Sequence, residues 1–217
     1  MRSYGLLIAA VALATGIILF PADAKPLTIT AAGDAFMVQR PPARYRIDAR
    51  LRDWIAAGDA RLVNFEAVIN DGKCPPAAWS GGTWASMAPE VFPDLWAFGF
   101  NGCGCANNHS LDYSAEGLRL TIQTLKAAQR AYAGIGEDLQ SATAPGFVDT
   151  PAGKVAFVSV SATFHPDAMA GWTTSRVMGR PGLNGLRYAT TYLVKPERLE
   201  QLKEIYTFPI DYDAIEE

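Results

Sequence analysis

The chain has 217 residues, 49% of them hydrophobic and 19% charged, with a formal net charge of −3 at pH 7. That length and apolar content suffice for one domain with a buried core. With no basic excess and no run of Lys or Arg, nothing in the chain calls for a nucleic-acid partner.

The leading 24 residues read as a secretory signal peptide rather than as part of the fold. Arg2 gives a positive start, Gly5 to Phe20 is uncharged and apolar, and Pro21 ends the run. Ala22-Asp23-Ala24 then supplies the small-x-small pattern of a signal-peptidase site. The apolar run is shorter than the ~20 residues that span a bilayer. The expectation is an exported protein, in the periplasm or at the cell surface, whose domain covers residues 25–217. An uncleaved leader would instead associate the chain with the membrane. In an oxidising compartment Cys74, placed in a loop, can bridge to Cys103 or Cys105, and the odd count leaves one thiol unpaired. Cys103-Gly104-Cys105 lacks C-x-x-C spacing and reads as small buried strand residues.

Leu27 to Ala32 alternates apolar residues with threonines and runs into Gly33-Asp34, a first strand that delivers an acid to its C-terminal edge. Ile47, Leu51, Trp54 and Ile55 share one helical face, closed by Gly58. Arg61 to Phe65 is a second strand ending in Asn64-Phe65-Glu66, and residues 70–83 hold Asp-Gly, Pro-Pro and Gly-Gly turns of a surface loop. A short helix over 89–98 precedes a Gly-rich third strand, Phe100 to Cys105. Leu118, Ile122 and Leu125 then define an amphipathic helix reaching Arg130, and Ala131 to Ile135 is a fourth strand. Phe147 to Asp149 and Lys154 to Ser161 flank a turn as a hairpin, with Val155-Ala-Phe-Val158 apolar enough for a strand buried on both faces. Leu186 to Val194 reads as a further strand, and Pro196 opens a last helix. Alternation of strand and helix predicts an α/β fold with a largely parallel sheet.

Parallel strands bring their C-terminal ends to one edge, where sites form. Three of them end in Asp34, in Asn64 and Glu66, and in Ala106-Asn107-Asn108-His109-Ser110-Leu111-Asp112-Tyr113. Carboxylates, carboxamide oxygens and an imidazole suit a divalent metal such as Mn²⁺, Zn²⁺ or Fe. In this reading Asp34, Glu66 and Asn108 hold metal and His109 contacts the transferred or leaving group. Asn64, Asn107, Asp112 and His165 line the site. Metals so placed activate water for an in-line displacement.

Gly33-Asp34-Ala-Phe-Met37, Asn64-Phe-Glu66-Ala-Val-Ile69, Asn107-Asn-His-Ser-Leu-Asp-Tyr113, Gly134-Ile-Gly136 and Lys154-Val-Ala-Phe157, in this order, resemble the bacterial capsule-synthesis CapA family, associated with poly-γ-glutamate production. The resemblance covers roughly residues 27–193. It implies a layered α/β sandwich of the calcineurin-like metallophosphatase type and a protein acting on an anionic cell-envelope polymer or within a capsule-synthesis complex. The family's later His-Trp-Gly and Gly-His-x-x-His motifs have no counterpart here, where His165 is the sole histidine after His109. The chain therefore reads as an N-terminal portion of a family member with a partial metallophosphatase-like site. If active, it is a metal-dependent phosphoesterase-like hydrolase. The competing readings are a non-catalytic module that binds a polymer or partner, and an inactive fragment.

Overall fold

The computed structural model describes residues 26–205 apart from positions 81, 190 and 192. The expected leader lies outside the described residues. The chain divides into a main unit through Leu186 and a second unit from Arg187.

The main unit is built on a four-stranded, wholly parallel sheet in the order β1 (Ile29–Ala35), β2 (Ala60–Phe65), β5 (Gly102–Gly104), β6 (Ala131–Ala133). The mixed α/β class and the parallel central sheet expected from the sequence are both present. Between these strands run α1 (Ala49–Ala56), the short parallel pair β3 (Val68–Ile69) and β4 (Ser86–Met87), α2 (Phe92–Trp96) and α3 (Ser114–Ala127). Asp48 starts α1 by accepting the Arg50 amide proton, relieving one orphan donor of the first turn. The third strand is shorter than its apolar run, and the fourth breaks at Gly134, whose φ of +98° suits glycine alone. Beyond that break β7 (Ile135–Gly136) pairs antiparallel with β10 (Gly182–Leu183), and α4 (Leu139–Thr143) begins with an Asp138–Ser141 capping box.

Alternation along the strands divides the packing. Val63, Phe65, Cys103 and Cys105 join Phe92, Trp96, Leu118, Ile122 and Leu125 in one buried cluster. The other face carries Leu62 and the bare backbone of Gly102, where an added Cβ would come within 2.8 Å of Leu62, 3.0 Å of Val148 and 3.2 Å of Phe157. That close approach explains the glycines of β5. They admit the hairpin of β8 (Gly146–Thr150) and β9 (Gly153–Phe157) against the sheet.

Two expectations fail. Val155 to Val158 is not buried on both faces: Ala156 is exposed and Val158 is 61% exposed. The segment belongs to the two-stranded hairpin rather than the central sheet, so only one side is covered. Nor does a strand form over Leu186 to Val194 among the described residues. Leu193 is 95% exposed, so its weak alternation has no face to bury. The second unit contains α5 (Pro196–Ile205), with Lys203 paired to Glu200. No helix among the described residues is long and apolar enough to cross a membrane.

Candidate functional site

The strand register assembles the site. Asp34 is the Cα partner of Asn64, and Asn64 of Gly104. The β1–β2 register slips between Ala31 and Asp34, so β1 spends one extra residue where Gly33 lies. Such a bulge re-aims the following side chain. Here it brings Asp34 level with Asn64, whose Nδ2 donates to Asp34 Oδ1 at 2.8 Å.

Asn107 completes the relay. Its Nδ2 donates to Asn64 Oδ1 at 3.1 Å and to the Phe65 carbonyl at 2.9 Å, while its Oδ1 accepts the His109 amide proton at 3.1 Å. Ser110 Oγ accepts the Asn107 amide proton and donates back to the Cys105 carbonyl. The asparagine amides are thus engaged in holding three strand ends together, and act as positioning groups.

His109 is buried beyond this relay. Its Nδ1 lies 2.7 Å from Asp112 Oδ2, its Nε2 lies 3.9 Å from Glu66 Oε1, and the Phe36 ring meets it edge-on at 5.5 Å. Asp112 Oδ2 also accepts the Ala85 amide proton at 2.6 Å. Asp112 Oδ2 is placed to accept from Nδ1–H as it does from the Ala85 amide, and that tautomer leaves the Nε2 lone pair toward Glu66. Burial, then the neighbouring Asp34 carboxylate, push the Glu66 carboxyl above the ordinary glutamate value, partly offset by His109.

Six of the eight residues singled out in the sequence therefore meet: Asp34, Asn64, Glu66, Asn107, His109 and Asp112. Asn108 and His165 border an adjoining cavity of about 630 Å³ together with Trp79 and Trp84. Consecutive residues of the turn after β5 diverge, Asn107 and His109 inward and Asn108 to this cavity. Phe36, Trp79 and Trp84 are not among the residues that the sequence singles out; the signal for the two tryptophans is a pair of aromatic residues in a turn-rich loop, and Phe36 directly follows β1.

The family model for bacterial capsule synthesis proteins, PGA_cap, matches residues 28–205. The chain belongs to that family. Two relatives from Sinorhizobium fredii, the uncharacterized proteins y4sH and y4uA, are each 38% identical over 154 residues, 70% of this chain and 33% of their own length. The chain thus spans about a third of the length of these curated relatives.

In this capsule-synthesis family member, Cys74, Cys103 and Cys105 are all free thiols. The expected bridge from Cys74 does not form. Cys103 and Cys105 point to the same side of their strand, with sulfurs 3.6 Å apart, and Cys74 sits beside Gly117 of α3 instead. Among the described residues no group of three or more His, Cys, Asp and Glu side chains is arranged as a metal cage. The donor chemistry still fits one divalent cation. Asp34 and Glu66 are neighbouring carboxylates at one strand edge, and oxygen donors of this kind suit a divalent cation.

Proposed function

We propose that this capsule-synthesis family member is an exported, metal-dependent phosphoesterase-like protein acting on an anionic cell-envelope polymer. The observation that carries the reading is the convergence of Asp34, Glu66 and the His109–Asp112 pair at one sheet edge. The layered sandwich of metallophosphatases is part of the same proposal, supported by the parallel sheet with helices packed on one face and a hairpin on the other. The apolar leader supports export.

In this mechanism Asp34 and Glu66 would hold one divalent cation of the Mn, Zn or Fe type. When bound, the cation supplies Lewis acidity and neutralises charge on a phosphoryl group. The chain's own residues do the remainder. Asn64 fixes the Asp34 carboxylate and Asn107 fixes Asn64. Asp112 sets the imidazole tautomer and orientation, so that His109 Nε2 is the atom that exchanges a proton with the departing or attacked oxygen. The experiment is hydrolysis of bis-p-nitrophenyl phosphate with added Mn²⁺, for the native chain and for His109→Ala. Metal-dependent turnover lost in the variant supports the reading. Folded protein that neither binds Mn²⁺ nor turns over would replace it with a non-catalytic polymer- or partner-binding module, the reading that the structural engagement of the Asn64 and Asn107 amides supports.

A further inference from the structure

Beside the carboxylates lies a second feature that the phosphoesterase chemistry does not use. The cavity of about 630 Å³ bordered by Asn108 is within the size range of ligand sites. Its principal walls are indole and imidazole faces. Trp79 and His165 stack with ring centroids 4.9 Å apart at 34°, and Trp79 is nevertheless 62% exposed. A large aromatic side chain left this exposed in a cavity wall forgoes burial that the core could have given it. Trp84 is similarly exposed, but its Nε1 donates to the Ala77 carbonyl at 2.9 Å, which fixes the loop carrying both rings. The same loop is tied at each end to Asp112: Ala77 N–H donates to its carbonyl and Ala85 N–H to its carboxylate.

The remaining lining decides the ligand. Ser80, Thr163 and Asn108 bring hydroxyls and a carboxamide, and among the described residues no Lys, Arg, Asp or Glu lines the cavity. The imidazole of His165, the one group there that could carry charge, has its Nδ1 3.4 Å from the Asp167 carboxylate. Guanidinium groups cluster elsewhere, with Arg40, Arg46 and Arg52 around a separate cavity that shares no residue with this one. A polycarboxylate would meet no Lys or Arg among the described residues of the tryptophan cavity. A neutral pyranose fits: its C–H faces lie on indole, and its rim of hydroxyls meets Ser, Thr and Asn.

We infer that the Trp79–Trp84–His165 cavity binds a neutral sugar ring of a glycan, next to the bond handled at the Asp34–Glu66–His109 edge. The proposal rests on the hydrolase reading for the position of the cleaved bond and for nothing else. It makes the polymer anionic through phosphate links between neutral sugars, not through the sugars themselves.

The test is equilibrium binding to the full chain without turnover, read by tryptophan fluorescence and calorimetry. The probes are neutral tetrasaccharides of glucose and of N-acetylglucosamine, with poly-γ-glutamate alongside. The expected result is saturable binding of at least one neutral tetrasaccharide, weakened roughly tenfold by Trp79→Ala and largely restored by Trp79→Phe. Among the described residues Trp79 donates no hydrogen bond, and a matching thermal melt would show that Trp79→Ala is folded. Asp34→Asn should bind the same sugar as well as the native chain does, so sugar binding is read independently of the phosphoesterase site. Absence of saturable binding by either tetrasaccharide overturns the proposal, as does binding that Trp79→Ala leaves unchanged. Trp79-dependent binding of poly-γ-glutamate alone would replace the sugar with a polycarboxylate.

Discussion

His109 and Asp112 share a contact of 2.7 Å between imidazole Nδ1 and carboxylate Oδ2, with both side chains buried and Asp112 only 1% exposed. The same oxygen takes the Ala85 amide proton, so one carboxylate orients the imidazole and anchors a loop.

Asp112→Ala strips the acceptor from two buried donors and should lower stability by about 2–3 kcal/mol. Asp112→Asn keeps the shape but not the charge, and should cost less while lowering kcat of phosphoester hydrolysis with KM nearly unchanged. Urea denaturation and steady-state kinetics read the two effects separately. Equal loss of kcat and of Mn²⁺ affinity would mean that Asp112 acts on the metal and not on the imidazole.

Glu66 carries a pH signature. Its carboxyl is raised in the folded chain, by burial first and by Asp34 second, so the folded state holds that proton more tightly than the unfolded state does. The stability this adds is complete below the unfolded value and is lost as pH rises through the raised folded value. Glu66→Gln does not titrate. In metal-free buffer the melting temperature of Glu66→Gln should therefore gain on that of the native chain as pH rises above the ordinary glutamate value of about 4.3. A constant difference across that range would contradict the assignment.

Asn64 is predicted to act on metal binding without touching the ion. Its amide fixes Asp34 and is fixed in turn by Asn107. Loss of such a supporting hydrogen bond typically costs a metal site about 10–100-fold in affinity, and Asn64→Ala should weaken Mn²⁺ binding by that amount in calorimetry. The expected stoichiometry in the native chain is one ion.

How much of this could be read from residues alone differs from element to element. The parallel strands and the amphipathic α3 follow from apolar periodicity that the packing preserves. The Asn107-x-His109-x-x-Asp112 spacing carries the inner half of the site because both contacts are local to one turn. The Asp34–Asn64 contact was harder to foresee, since it depends on a register slip at Gly33, and a glycine in a strand only hints at a bulge. Asn108 was grouped with its neighbours by sequence, yet side chains on successive turn positions diverge, and it borders the sugar cavity. Val155 to Val158 misled for a different reason. Apolar content signals contact with something, and here the partner is one sheet face through Phe157 and not a layer on each side.

Gly134 should prove intolerant of any side chain. Its φ is +98°, and an added Cβ would lie 2.7 Å from Ser159 Cβ and 2.8 Å from the Ala106 backbone nitrogen. Gly134→Ala combines backbone strain with a clash against the segment leading into Asn107, and should cost roughly 2 kcal/mol or more. Thermal unfolding measures that cost. A loss below about 0.5 kcal/mol would show that the break between β6 and β7 is soft.

The two ties from Asp112 to Ala77 and Ala85 divide labour along the chain. A loop clamped at both bases by one buried residue can vary at its crown without shifting its ends. Substitution at Trp79 or Ser80 would thus retune what the protein grips while leaving the imidazole in register. Selection could explore new ligands through that crown, whereas loss of the Asp112 carboxylate would release Ala85 and the imidazole together.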